Sequence, residues 1–344
     1  MTQNMIKVKT VSFNKSGYDP FIDFIKAYAI ICVLIGHTLP LHDYWGYGIW
    51  AGMQVPLFVL VQSFHSFKKD IPYINLKKIF LRVILPYILV QSIVLLYLLN
   101  IDSTKIYYFL LSGGAGPGSY YPWVYIQIAL LLPIIKKWLD KNKKNKTKIC
   151  VSFLVICESF EILFSIIDMP DGLYRLLAIR YIFLLYLAWI WVRDGIFINK
   201  RTTLLSVISF IAIIYFEYFS VDDEVLFYNT AWKFHRWPCY YFVAVWGVYL
   251  LKILYNLLCN KTYIMSSIRL LAKCSYEIFL IQMIILYVYP SGYIKDLIIM
   301  TGINNHIIVD LLQLIIRIMV VFILSTLIGY YFNFYYNRFI FKYN

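Results

Sequence analysis

The chain has 344 residues, 61% of them hydrophobic and 15% charged, with a mean hydropathy of +0.70. A soluble domain of this size needs a far more polar surface, so a soluble globular protein, a disordered chain and a collagen-like repeat are excluded. The net charge of +14, from 32 Lys and Arg against 18 Asp and Glu, would point to nucleic acid in a soluble chain. In an apolar chain it reads first as membrane orientation, because basic residues collect in short cytoplasmic loops.

The first twenty residues are polar and basic with no cleavage pattern, so the first apolar run reads as an uncleaved helix. A span needs roughly 20 apolar residues to cross about 30 Å of hydrocarbon. The apolar runs are continuous rather than alternating, which excludes strands as spanning elements. Spans are expected near 21–40, 47–67, 79–99, 121–135, 149–167, 175–192, 202–220, 237–257, 275–290 and 307–333. The expected fold is an all-α polytopic membrane helical bundle of about ten transmembrane helices, with both termini cytoplasmic. Its parts are an N-terminal arm at 1–20, a single transmembrane domain at 21–335 and a short cytoplasmic tail at 336–344.

Charge sets that orientation. With the N-terminus inside, most Lys and Arg fall on the inner side: the arm through Lys26, the 68–82 region, the lysine run at 136–148, Arg193 to Arg201, Lys261 to Lys273, and Arg338 and Lys342. Asp168, Asp171, Asp222, Asp223, Glu224 and Asp296 fall outside. The run KKWLDKNKKNKTK at 136–148 reads as an orientation signal against an anionic inner leaflet, or as an attractor of an anionic cytoplasmic cosubstrate.

Charged groups at membrane depth are costly unless paired or hydrated, which makes them candidates for function. The first helix reads FIDFIKAYAIICVLIGHTLP and carries Asp23, Lys26 and His37. Lys26 and His37 are eleven residues apart, about 16 Å of rise and nearly a whole number of turns, so they share one face. Asp23 stands three positions before Lys26, at ion-pair spacing. Histidine is a natural general base near neutral pH, able to take the proton of an alcohol that attacks a thioester. The other reading is a Lys26 that snorkels to the lipid boundary and a His37 that bonds a neighbouring helix.

Further polar groups at depth are Glu158 and Glu161 on one face, Asp310 and Arg317 on another, and Glu277 four residues after Lys273. Gln54, Gln62 and Gln127 are of the type that joins helices. His42, His65, His235 and His306 have no metal-ligand spacing, and the cysteines at 32, 150, 157, 239, 259 and 274 read as small buried hydrophobes. No metal is expected. The 9 Trp and 32 Tyr suit two membrane boundaries. The stretch SGGAGPGSYYPW at 112–123 has no strand before it and is not a nucleotide fingerprint; it reads as an outer loop that delivers Tyr121 and Trp123 to the helix mouth. Kinks are expected at Pro56 and Pro86.

The run from Asp23 through Lys26 to His37, a basic residue followed by ten others and a histidine, resembles the first-span hallmark of the integral-membrane acyltransferase family, the acyltransferase-3 family. AGMQVPLFVLVQSF at 51–64, LKKIFLRVILPYIL at 76–89, YYPWVYIQIALLLP at 120–133 and SYEIFLIQ at 275–282 resemble its later segments in order. Two departures matter. Lys26 stands where Arg is commoner, which keeps the charge and loses the planar fork. Gln282 stands where many members have a second histidine, so the burden falls on His37.

The resemblance implies an O-acyltransferase in a bacterial inner membrane. It would transfer acetyl, a group other than an aminoacyl group, from cytoplasmic acetyl-CoA to a hydroxyl of a cell-envelope or exported glycan or glycolipid. Its implied site comprises His37 and Asp23 for catalysis, with Lys26, Lys78, Arg82, Tyr121 and Trp123 around acetyl-CoA. Its implied partners are the bilayer, acetyl-CoA and the carbohydrate acceptor, with no nucleic acid; a homo-oligomer stays open. No appended extracytoplasmic domain is expected. Two alternatives also stay open: glycan export or flipping by the same fold, and a membrane sensor that keeps the fold without the chemistry.

Overall fold

A computed structural model of the chain describes residues 19–38, 53–69, 74–99, 109, 112–195, 200–219, 237–288, 291–301 and 305–342. Its helices are α1 (Pro20–Thr38), α2 (Val55–Phe67), α3 (Leu76–Leu98), α4 (Tyr121–Lys141), α5 (Lys146–Ile166) and the short α6 (Asp171–Leu176). They continue with α7 (Ile182–Asp194), α8 (Lys200–Phe219), α9 (Tyr240–Leu258), α10 (Thr262–Lys273), α11 (Ser275–Val288), α12 (Ser291–Met300) and α13 (His306–Lys342). The chain is an all-α, multi-pass membrane protein.

The expectation of about ten spans is corrected. Among the described residues six helices are long and apolar enough to cross a membrane, namely α1, α3, α4, α5, α9 and α13. A seventh is reached if α10 and α11, bent by 70° at their junction, count as one span. The difference has a geometric cause. Hydropathy integrates composition over a run, whereas crossing requires unbroken helical length. The second expected span holds a helix of 13 residues, about 20 Å long, against the roughly 30 Å needed. The sixth is broken into α6, a 3₁₀ turn at Ala178–Tyr181 and a 13-residue α7. Within the seventh, the apolar helix is the shorter stretch Thr203–Tyr215, and the ninth begins at the 70° bend. The cytoplasmic placement of the termini concerns residues 1–18 and 343–344, which lie outside the described residues.

Of the six span-length helices, the most enclosed is the one that carries Asp23, Lys26 and His37. α1 packs against α2, α9, α10, α11 and α13. Its apolar window is 61% buried, against 11% for α13. Ala27, Ala29 and Cys32, all at most 1% exposed, keep its surface narrow enough for five neighbours. α13, by contrast, turns Leu311, Ile315, Met319, Ile323 and Leu327 outward, an exposed apolar stripe that only lipid satisfies. Where α13 crosses α11, Gly329 lets the backbones meet: a Cβ there would lie 2.9 Å from the Cα and the amide nitrogen of Ile278. Small residues at helix crossings serve this purpose in membranes. Gly329→Leu is therefore expected to force the two helices apart at a cost of about 1–3 kcal/mol or more. The check is the melting temperature of the detergent-solubilised protein, and an unchanged value would reject the tight crossing.

The two prolines stand in different settings. Pro56 stands in the first turn of α2, where its missing N–H is not needed and it interrupts no helical hydrogen bond. In α3 a π turn at Phe80–Ile84 precedes Pro86, with the Leu85 N–H bonded five residues back to the Phe80 carbonyl. The same pattern would pair residue 86 with the carbonyl of Leu81, but proline has no N–H to give. The Tyr336 hydroxyl of α13 donates to that carbonyl instead, and the Tyr276 hydroxyl of α11 donates to Val83 at 2.8 Å. Two helices are thereby tied to the turn that carries Arg82.

The basic loops meet at one end of the bundle. Lys136 Nζ donates to the carbonyls of Phe67 and Lys69 at the end of α2. Lys146 pairs with Asp194 at 2.6 Å, and Arg193 donates to the Lys143 carbonyl at 2.9 Å. Cations at helix C-termini also complement the helix dipole.

Candidate functional site

A cavity of about 1000 Å³ opens beside these basic loops. α1 contributes Lys26 and Val33 to its wall, α3 Lys78 and Arg82, α4 Tyr121 and Tyr125, and α11 Glu277 and Phe279. Lys69 and Lys273 join the cations, and among the described residues Glu277 is the carboxylate in the lining. The local fold accounts for Lys78 and Arg82. Asn75 Oδ1 accepts the Lys78 N–H at 2.8 Å and starts the helix, and the following π turn offsets Arg82 by one extra residue. Lys26 is 3.8 Å from Asp23, as their spacing requires. Asp23, Arg269 and Lys273 border a smaller depression of about 450 Å³ that also reaches Lys26.

The deep end is aromatic. Tyr121 is buried, with ring centroids 6.1 Å from Phe58, 6.3 Å from Tyr125 and 5.7 Å from Phe279. Val33 lies on the same wall, one turn before His37 on α1. His37 itself is half-buried, and its Nδ1 is 2.9 Å from the carboxamide nitrogen of Gln282. Gln282 is fully buried on α11. Asp23, fourteen residues before His37 and about 21 Å away by helix rise, has its ion pair at the basic end.

The glycine-rich stretch packs beside the deep end, near Phe279 and His37. Gly113, Gly114, Gly116 and Gly118 all have φ between +84° and +126°, the left-handed side that glycine tolerates. The side chain of Gln91 holds Ala115 by both backbone groups, each at 2.8 Å. Gly113 accepts from the Tyr87 hydroxyl and, at 2.8 Å, from the Trp123 indole N–H. A Cβ on Gly118 would lie 2.6 Å from the Phe279 ring and 3.4 Å from His37 Cε1. The loop therefore passes close to Phe279, which lines the cavity, and to His37. Gly118→Ala combines a positive φ with that contact and is expected to cost about 1–3 kcal/mol. Its signature is a lowered melting temperature, while Ala at Gly195, where a Cβ meets nothing within 4 Å, carries the φ penalty alone.

Of the seven residues singled out in the sequence, Lys26, Lys78, Arg82 and Tyr121 line one cavity. His37 stands one turn beyond its deep wall, Asp23 pairs with Lys26 at the mouth, and Trp123 is half-exposed and bound to the glycine loop rather than to the cavity. Sequence reasoning missed Gln282 as the neighbour of His37 and missed Tyr87 and Gln91 as the loop's anchors. The last two carried a signal: polar groups four apart on an otherwise apolar span. Other groups at depth turn out to be braces. Glu161 accepts from the Tyr174 hydroxyl at 2.8 Å, and Asp310 pairs with Lys295 of α12 at 3.0 Å. Gln127 bridges α4 to Leu176 and Ala178.

The chain is thus a multi-pass helical bundle with a basic cavity whose deep wall lies one turn from the half-buried His37. Residues 19–334 match the acyltransferase domain of the acyltransferase-3 family, and the chain belongs to that family. No curated protein and no solved structure matches the chain.

Proposed function

We propose that the protein is an O-acyltransferase of a bacterial inner membrane. It moves an acetyl group from cytoplasmic acetyl-CoA to a hydroxyl of a cell-envelope or exported glycan, with His37 as general base. The observation that carries this reading is the cavity: cationic at its mouth, aromatic at depth, and leading along α1 to the turn before His37. A volume of about 1000 Å³ suits a ligand of cofactor size. Lys26, Lys78 and Arg82 are the cations that would hold the phosphates of CoA, with Asp23 keeping Lys26 in place. Tyr121 would flank the acyl end, and Trp123 would act through the glycine loop it anchors.

In the reaction His37 takes the proton of the acceptor hydroxyl as its oxygen attacks the thioester carbonyl. The C–S bond breaks, the sulfur leaves and is protonated, and an O-acetyl ester and free CoA result. The aromatic walls Phe279 and Tyr121 at the deep end would limit the access of water to the thioester.

The test uses purified protein in nanodiscs with acetyl-labelled CoA and a panel of envelope glycans. Label on a glycan, dependent on the protein, supports the proposal. A folded sample that neither binds CoA nor transfers label overturns it.

A further inference from the structure

Gln282 stands against the histidine to which the proposed chemistry assigns the proton transfer. Its carboxamide lies 2.9 Å from Nδ1, and it is 0% exposed, so no solvent competes for that contact. Among the described residues the other ring nitrogen, Nε2, has no hydrogen-bond partner. A neutral imidazole carries one N–H and one lone pair, so whatever occupies Nδ1 decides what Nε2 can do. If the amide donates to Nδ1, Nε2 holds the proton and can only donate. If the amide oxygen accepts from Nδ1–H, Nε2 keeps its lone pair and can act as a base. The two arrangements differ by a half-turn of the carboxamide about the same heavy-atom positions.

We infer that Gln282 is a positioning residue: its carboxamide oxygen accepts the Nδ1–H of His37 and leaves the Nε2 lone pair to the acceptor hydroxyl. This rests on the general-base reading of His37 given above. With the amide nitrogen on the ring, Oε1 is a buried acceptor with no partner; the half-turn gives that oxygen the Nδ1–H and moves the unpaired position to the amide nitrogen, so the choice between the two follows from the lone pair that the general-base role needs at Nε2. A Cβ at Gly118 would lie 3.4 Å from Cε1, so the glycine loop passes close to that edge of the ring. An amide performs this task without titrating. It orients the imidazole and adds no charge at membrane depth, where a carboxylate would need a counter-ion.

The experiment is nitrogen NMR of the full chain, labelled at histidine and reconstituted in nanodiscs, with the His37 signals assigned by their loss in His37→Ala. The expected result is a protonated Nδ1 and a lone-pair Nε2 in the wild type. Gln282→Leu should mix the tautomers and lower kcat for acetyl transfer by about 100-fold or more, with the KM for acetyl-CoA unchanged. Gln282→Glu, which presents an acceptor, should keep Nδ1–H and rescue most of kcat. A wild type with the proton on Nε2 overturns the inference, as does Gln282→Leu with an unaltered tautomer. If Gln282→Leu does not fold, Gln282→Glu decides alone, since displacement of the proton to Nε2 in that variant overturns the inference. The tautomer is read without turnover. A wild type with the expected tautomer that transfers no acetyl group therefore counts against the transferase reading and leaves the role of Gln282 standing.

Discussion

His37→Ala is expected to lower acetyl transfer by roughly 10²–10⁴-fold, the range that a general base contributes. The loss should appear in kcat, because the cations of the cavity mouth are untouched and lie well away from the histidine. CoA binding measured separately should stay within a few fold of wild type. The substitution removes the partner of a fully buried amide, so some stability is lost as well, about 1–3 kcal/mol for an unsatisfied polar group. A melting curve separates the two effects: a folded, CoA-binding, inactive variant is the expected outcome. Wild-type rates in His37→Ala would remove this residue from the chemistry and leave the cavity as a binding site only.

Reversing charge at the mouth should act on the other parameter. Arg82→Glu is expected to raise the KM for acetyl-CoA about 10- to 100-fold. A charge-assisted hydrogen bond contributes about 1.5–3 kcal/mol, and each 1.4 kcal/mol is tenfold. The effect should be largest for Arg82, whose turn is tied to both α11 and α13 by the tyrosine hydroxyls on Leu81 and Val83. Lys78→Glu should move KM in the same direction by less, because an ammonium is a point charge without the planar fork. Rising salt should weaken wild-type binding and shrink the difference between wild type and variant, since partly exposed charges are screened beyond about 8 Å at physiological ionic strength. An Arg82→Glu protein with an unchanged KM would show that the phosphates lie elsewhere.

The stretches that were legible in the sequence are those whose meaning is local. A separation of eleven from Lys26 to His37 puts both on one face whatever surrounds the helix, and a separation of three from Asp23 to Lys26 places an ion pair that the structure contains. Lys78 and Arg82, four apart at the start of an apolar run, line the same cavity as Lys26. Trp123 was less legible. A residue two positions from Tyr121 on a helix faces away from it, and its indole binds the glycine loop while Tyr121 turns to the cavity.

The number of spans was misjudged for a related reason. An apolar run is equally apolar whether it is one straight helix or a short helix, a turn and another short helix. The sixth run contains a 3₁₀ turn at Ala178–Tyr181 that Gln127 stabilises from a different helix by accepting the Ala178 N–H. Nothing within 175–192 announces that bond.

By itself the sequence determined that this chain lives in a membrane, which face of the first helix carries Lys26 and His37, and which family it resembles. All three depend on composition or on spacing within one element. Only the tertiary structure decided which helices are long enough to span, that the glycine loop is pinned over His37 by Tyr87, Gln91 and Trp123, and that Gln282 meets His37 across 245 positions of chain. Those contacts depend on helix crossings such as the one at Gly329. A crossing is set by how two surfaces pack against each other, and no spacing within either helix contains it.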